Sequence, residues 1–343
     1  MALRRLLLLD FDGTITKHDT LASLVTLAIA ASSTSTVGAG SQDQAAIATH
    51  QQKQRALWDQ IVRDYVAAYR AHVTNYTTAA GAGETEERRT TLRQELAFLE
   101  STREVERASV ARVSRAGFFA GLNAPALERL GWEAVRLASP LPAPSSSSGH
   151  GKNGSGSGDG EGDGSLEEEK GEGAVRLKKG VGRFLEQQGR DGWDVAVVSV
   201  NWSREFIRGV VEAGCTWGPG AERVRRVVAN GIRFPSGQVE GPEELGGEPL
   251  VTAGDKLRAM ESLRQKLADE KVVYFGDSTT DLACLMEADL GVIMADSAES
   301  KLLNTLKRIG QEAPHVTDAK TDSKLVWARD FDEVLQSGVM ARV

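Results

Sequence analysis

Residues 3–10 form a short apolar run with four consecutive leucines at 6–9, closed by the acids Asp10 and Asp12. Such a run predicts a buried strand, with Gly13 to Thr16 as the loop that leaves it. The next stretch changes period. Residues 20–31 carry Leu21, Leu24, Leu27 and Ile29 at helical spacing, and residues 32–41 read as a polar loop. Residues 45–73 read as a helix with Val62, Val66, Tyr69 and Val73 on one face and Leu57, Ile61 and Tyr65 beside them. Residues 84–113 read as a second long helix with Leu92, Leu96 and Leu99 on a stripe. A third helix follows, capped by Asn123, with Pro125 in its first turn and Leu127, Leu130, Ala134 and Leu137 inside. No strand signal interrupts this region.

From about residue 175 strands and helices alternate. Helices are predicted over 181–188, 204–213, 256–267 and 280–287, and strands over 194–200, 224–229, 271–275 and 291–294. A Gly/Pro-rich hairpin-like stretch runs through Pro242. This order predicts an α/β fold with a Rossmann-like parallel sheet, assembled from 1–31 and 175–343, and a helical module inserted over 32–142. The stretch between them, 143–174, is different again. Residues 145–173 hold ten glycines, seven serines, seven acids and two bases. With almost nothing apolar to bury, this segment is expected to be disordered and dispensable.

Composition changes little. The 343 residues are 41% hydrophobic and 26% charged, ordinary for a globular chain. The net charge of -7 gives no reason to expect a nucleic-acid partner. No segment is apolar enough to predict a membrane span. The first nine residues superficially resemble a signal peptide, but acids follow too soon. Two cysteines, Cys215 and Cys284, are too few for a disulfide framework and suggest a reducing, cytoplasmic setting.

The candidate chemistry lies at predicted strand ends. In Asp10-Phe11-Asp12-Gly13-Thr14-Ile15-Thr16, one carboxylate can attack phosphorus while the other protonates a leaving oxygen and later deprotonates water. In Gly276-Asp277-Ser278-Thr279-Thr280-Asp281, hard oxygen ligands at a strand end suit Mg²⁺, with Asp281 in the first turn of the next helix. Ser199 ends another strand, where a hydroxyl and the N–H groups of the following turn can hold a phosphate. Lys256, at a helix start, can neutralise a phospho-aspartate. Each has a plainer alternative: helix caps, a strand-end serine, a solvated lysine. The order acid, hydroxyl, lysine, acid is more specific than any member.

On these motifs the chain resembles the haloacid dehalogenase-like hydrolases, and within them the phosphoserine phosphatase-like branch, over residues 3–20 and about 175–295. The resemblance implies a Mg²⁺-dependent phosphomonoesterase acting on a small phosphorylated metabolite. Asp10 would be the nucleophile, Asp12 the general acid/base, and Lys256 the group that steadies the charge on Asp10. Ser199, with Asn201 beside it, would bind the phosphoryl group. Asp277 would hold Mg²⁺ together with Asp10 and the backbone carbonyl of Asp12, and Asp281 would support that site. The segment from Val228-Ala229-Asn230-Gly231 through Ser236-Gly237-Gln238-Val239 also looks like the branch. The helical module sits where the branch inserts its cap, which closes over the site and selects substrate.

Departures concern the substrate. Asp19 stands where the branch carries a glutamate that contacts the substrate's amino group, and it is one methylene shorter. The glycine pair that follows the motif serine in the branch is replaced after Ser199 by Val200-Asn201-Trp202. Asn201 and Trp202 could contact substrate, or serve as helix cap and hydrophobic anchor. Tyr65 and Tyr69 could line the cap, or belong to its core. The arginine that binds the substrate carboxylate in the branch has only Arg63 and Arg70 as candidates. A catalytically silent binding protein on this scaffold, or a phosphotransferase using the same aspartate, are the other readings.

Overall fold

The computed structural model describes residues 5–34, 41–76, 86–138, 171–215, 224, 226–265 and 271–343. In chain order its strands are β1 (Arg5–Leu9), β2 (Trp193–Val198), β3 (Arg226–Val228), β4 (Gly231–Arg233), β5 (Gln238–Glu240), β6 (Lys271–Gly276), β7 (Leu290–Met294) and β8 (Leu325–Ala328). Helices α1 (Leu21–Thr34), α2 (Ser41–Asn75), α3 (Leu92–Ser101), α4 (Arg103–Ala116) and α5 (Ala124–Ala138) all fall between β1 and β2. They are followed by α6 (Val181–Arg190), α7 (Arg204–Gly214), α8 (Ala253–Gln265), α9 (Leu282–Glu287), α10 (Lys301–Arg308) and α11 (Phe331–Ser337).

Six strands form one parallel sheet in the order β3-β2-β1-β6-β7-β8, and β4 and β5 form a separate antiparallel ribbon. The leucine run of β1 is explained by its central place. Leu7 and Leu9 enter one core and Leu6 and Leu8 the other, so both faces are buried. The chain builds β2 and β3 on one side of β1, then crosses to place β6 on the other. Winding reverses between β1 and β6, and in such sheets the crevice at the carboxyl ends of these strands is where ligands bind.

The inserted helices are fastened to this core by close approach and by charge. Helix α5 packs on α7 where glycines let the backbones meet: a Cβ on Gly209 would lie 2.0 Å from Glu128 O, and one on Gly131 2.3 Å from Phe206 O. Arg103 of α4 binds both oxygens of buried Asp255 in α8, at 2.8 and 3.0 Å. Buried Glu95 of α3 takes Arg89 at 2.8 Å and Arg308 of α10 at 3.0 Å.

Three local expectations are corrected. The predicted helix over 84–113 is broken: a 3-10 turn at Glu86–Arg88 precedes α3, and α3 and α4 meet at Thr102. The Thr102 hydroxyl donates to Leu99 O at 2.8 Å, a side-chain bond of the kind that competes with helix continuation. The valine stripe of α2 is not its buried face. Leu57, Val62, Val66 and Val73 are 37–41% exposed, while Ile61 is buried and the larger Trp58, Tyr65 and Tyr69 turn inward beside it. Of the segment expected to be disordered, 143–170 lies outside the described residues. Its last four residues instead form a turn, with Ala174 N–H on Gly171 O at 3.0 Å and Gly173 against Leu27 of α1.

Candidate active site

The sequence motifs converge because β1 pairs with both β2 and β6, so the ends carrying Asp10, Ser199 and Asp277 lie side by side. Helix α8 supplies the lysine. Thr252 and Asp255 cap its first turn reciprocally, at 3.0 and 3.3 Å. Lys256, fully buried, then lies 2.9 Å from Asp10 Oδ1 and 2.7 Å from Asp281 Oδ1. Asp281 also accepts from Tyr274 at 2.8 Å and from the N–H groups of Asp277 and Ser278 at 3.2 and 3.1 Å. Its lone pairs are largely committed to the protein.

Gly13 lets the Asp10 loop meet the Asp277 loop. Its φ of +73° suits a residue without Cβ, and a Cβ there would lie 2.2 Å from Asp277 Oδ2. Thr14 donates to Asp277 Oδ1 at 3.1 Å. Asp12 is turned elsewhere. Its Oδ1 accepts from the Thr20 N–H at 2.8 Å and hydroxyl at 2.7 Å, and its Oδ2 accepts from Asn201 Nδ2 at 2.9 Å. Asn201 is wholly engaged: its amide N–H donates to Ser199 Oγ at 3.2 Å, and its Oδ1 receives the N–H of Ser203, the cap of α7. Ser203, and not Asn201, is therefore the cap of α7, and Asn201 braces the Asp12 carboxyl instead.

Oxygens of Asp10, Asp277 and Asp281 all lie within 4.8 Å of one another. Three hard donors around one point suit a small divalent cation. Asp10 Oδ1 is buried and makes no aligned hydrogen bond despite its lysine neighbour, which leaves lone pairs for such an ion. The carboxyl of Asp12 faces Thr20 and Asn201 and is not one of these three.

Without a cation the carboxyls are held back from ionising. Burial and then the charge of Asp281 push Asp10 well up against the pull of Lys256. Enclosure and Asp281 raise Asp277 to about 7, and enclosure and Asp19 raise Asp12 to about 6. Burial alone would lower Lys256, but Asp10 and Asp281 outweigh it and hold its ammonium above the usual range.

A cavity of about 510 Å³ lies between this crevice and the helical insertion. Its core side is made by residues flanking the motifs, among them Asp19, Val200, Trp202, Thr252 and Thr280. Its opposite wall is Trp58, Tyr65 and Tyr69 of α2 with Glu106 of α4. Tyr65 and Tyr69, which helical spacing alone favours as core, instead line the cavity. Asp19 is exposed on the wall yet ringed by protein, and the ring prevails: its carboxyl is raised by enclosure. Arg63 and Arg70 are exposed and do not line the cavity.

Thr14, Thr20, Tyr274 and Glu106 are site residues that sequence reasoning missed. Tyr274 had a weak signal, since alternation along β6 places it with Val272 on one face. The others become visible only once the loops and helices are folded together.

No protein-family model matches the chain. The Bifunctional TH2 protein, mitochondrial, of Arabidopsis thaliana is 29% identical over 120 residues, a match that spans 34% of this chain and 18% of that relative. Among solved structures, cytosolic 5'-nucleotidase IIIB bound to cytidine aligns with a TM-score of 0.50 and 11% identity over 99% of this chain and 86% of its own. Apo phosphoserine phosphatase aligns with a TM-score of 0.43 and 12% identity over 97% and 98%. The parallel sheet, its winding and the inserted helices give the chain the same α/β fold as the 5'-nucleotidase structure.

Proposed function

We propose that the protein is a Mg²⁺-dependent phosphomonoesterase for a small phosphorylated metabolite, working through a phospho-aspartate on Asp10. The observation that carries this reading is the convergence of Asp10, Asp277, Asp281 and buried Lys256 at neighbouring strand ends. Asp10 and Asp277, with the backbone carbonyl of Asp12, would hold Mg²⁺, and Asp281 would orient Lys256 and the Asp277 loop. Bound there, the ion would neutralise charge on the phosphoryl oxygens.

Lys256 favours the ionised Asp10 that attacks phosphorus, and a bound Mg²⁺ would add to that pull. As the Asp10–phosphorus bond forms, the ester P–O bond breaks, and Asp12 gives its proton to the leaving oxygen. Asp12 then takes a proton from water, whose oxygen attacks phosphorus, releasing inorganic phosphate and restoring Asp10. Ser199 Oγ accepts from Asn201, so its own hydrogen is available to a phosphoryl oxygen. Asn201, assigned from sequence to the phosphate, acts through Asp12 by fixing the carboxyl that moves the proton.

Among the described residues no helix is long and apolar enough to cross a membrane, and both cysteines are free and buried. The two free thiols support a reducing, cytoplasmic setting.

The test is release of inorganic phosphate from phosphoserine, sugar phosphates, nucleotides, thiamine phosphate and pyridoxal phosphate, with Mg²⁺ and with EDTA. Metal-dependent release that Asp10→Asn abolishes supports the assignment. Turnover retained in Asp10→Asn, or none from any ester with Mg²⁺, counts against it.

A further inference from the structure

The cavity beside the crevice is distinctive in what it offers a ligand. Its helical wall is aromatic. Trp58 packs edge-to-face on Trp202, with ring centroids 6.0 Å apart at 83°, and both line the cavity. Tyr65 and Tyr69 continue the wall about two and three turns further along α2, 6.1 Å apart. Flat apolar faces of this kind receive a flat ring, and their negative faces favour one that carries positive charge.

The charged lining points the same way. Glu106 faces the cavity from α4 and accepts a hydrogen bond from Tyr65 OH at 2.9 Å, and among the described residues no basic side chain pairs with it. Asp19 faces it from the core side and accepts the Leu21 N–H at 2.9 Å. Among the described residues Lys301 is the one basic lining residue, at the start of α10 beside the motif loop. A substrate with its own carboxylate would meet acids and aromatic faces where it needs cations. At about 510 Å³ the cavity holds one small molecule.

We infer that the leaving alcohol of the substrate carries a planar aromatic ring with a positive charge, packed against the wall of Trp58, Tyr65 and Tyr69 and countered by Glu106, with Asp19 as the second acid. This rests on the phosphomonoesterase reading and specifies the substrate class for that site. Glu106 is the discriminating residue, since Asp19 also influences Asp12.

The experiment compares two esters of the same shape, (1-methylpyridinium-3-yl)methyl phosphate and benzyl phosphate, with full-length protein and Mg²⁺. In wild type, kcat/KM for the pyridinium ester exceeds that for benzyl phosphate by about tenfold or more. Glu106→Gln, which retains an acceptor for Tyr65, brings the ratio toward one, chiefly through KM of the cationic ester. Within the metabolite panel, thiamine phosphate, whose ring is permanently cationic, ranks above phosphoserine. A wild-type ratio at or below one, or a ratio unmoved by Glu106→Gln, overturns the proposal. Calorimetric binding of the two esters to Asp10→Asn with Mg²⁺ separates this from the chemistry. Preference for the pyridinium ester there upholds the ligand class even if turnover fails, and equal binding defeats it.

Discussion

The two sides of the cavity are built by opposite rules. On the core side the supporting carboxyls are committed. Asp281 is held by Lys256, Tyr274 and two backbone N–H groups, and Asp12 by Thr20 and Asn201. These groups stand at the ends of buried parallel strands, where backbone bonding leaves little freedom. On the helical side the wall is aromatic, only half-buried, and carries one carboxyl with one tyrosine bond. On the proposed function, the contrast would give chemistry to the first side and selection to the second. Substitutions in the core should act on kcat, and those in the insertion on KM and on the choice of ester.

The largest effect should come from Lys256→Met. It leaves Asp10 and Asp281 buried without their cation, which costs about 3–5 kcal/mol of stability when a buried pair is broken. Denaturant melts check the stability loss, and turnover of the surviving fold should fall about a thousandfold. A stable, active Lys256→Met would erase the claim that the core side is electrostatically committed. Next is Asp12→Asn, which preserves acceptor capacity toward Thr20 but cannot move the proton. We expect kcat to fall by about 10²–10⁴ with little change in melting temperature, and a rate within tenfold of wild type would contradict the role.

Smaller effects belong to the seam and the helical wall. Arg103→Ala removes one of the cations on buried Asp255, leaving Arg258 and backbone donors, and should cost about 1–3 kcal/mol. Calorimetric melting reads it, and no change would mean that this pair does not fasten the insertion to α8. Tyr65→Phe deletes one hydroxyl from the wall and should raise KM by less than about tenfold with kcat unaltered. A loss in kcat instead would place Tyr65 with the chemistry and blur the division between the two sides.

The same division decides what could be read from sequence. Asp10, Ser199 and Asp277 follow apolar runs whose strand character is local, and adjacency in a parallel sheet then brings them together. Lys256 was recognisable by its order among them, although α8 begins three residues earlier than expected. The helical wall was misjudged because α2 has two competing apolar faces. The valines have the cleaner spacing, but Trp58, Ile61 and Tyr65 bury more area and take the inner face. The break at Thr102 depends on one hydroxyl and on where Arg103 finds Asp255, and neither leaves a mark in hydrophobic periodicity. Past Met294, α10, β8 and α11 went unpredicted. Their signals are single caps, Ser300 and Asp330, and a four-residue strand, too short for a pattern to emerge.

The nucleophile is the centre of the account, and covalent trapping tests it most directly. Wild-type protein with Mg²⁺ and a turned-over ester is quenched during the steady state and treated with borohydride, which reduces an aspartyl phosphate to homoserine. Peptide mass spectrometry should find homoserine at position 10 in wild type and none in Asp10→Asn. Homoserine at another aspartate, or none at all while phosphate is being released, would contradict the mechanism.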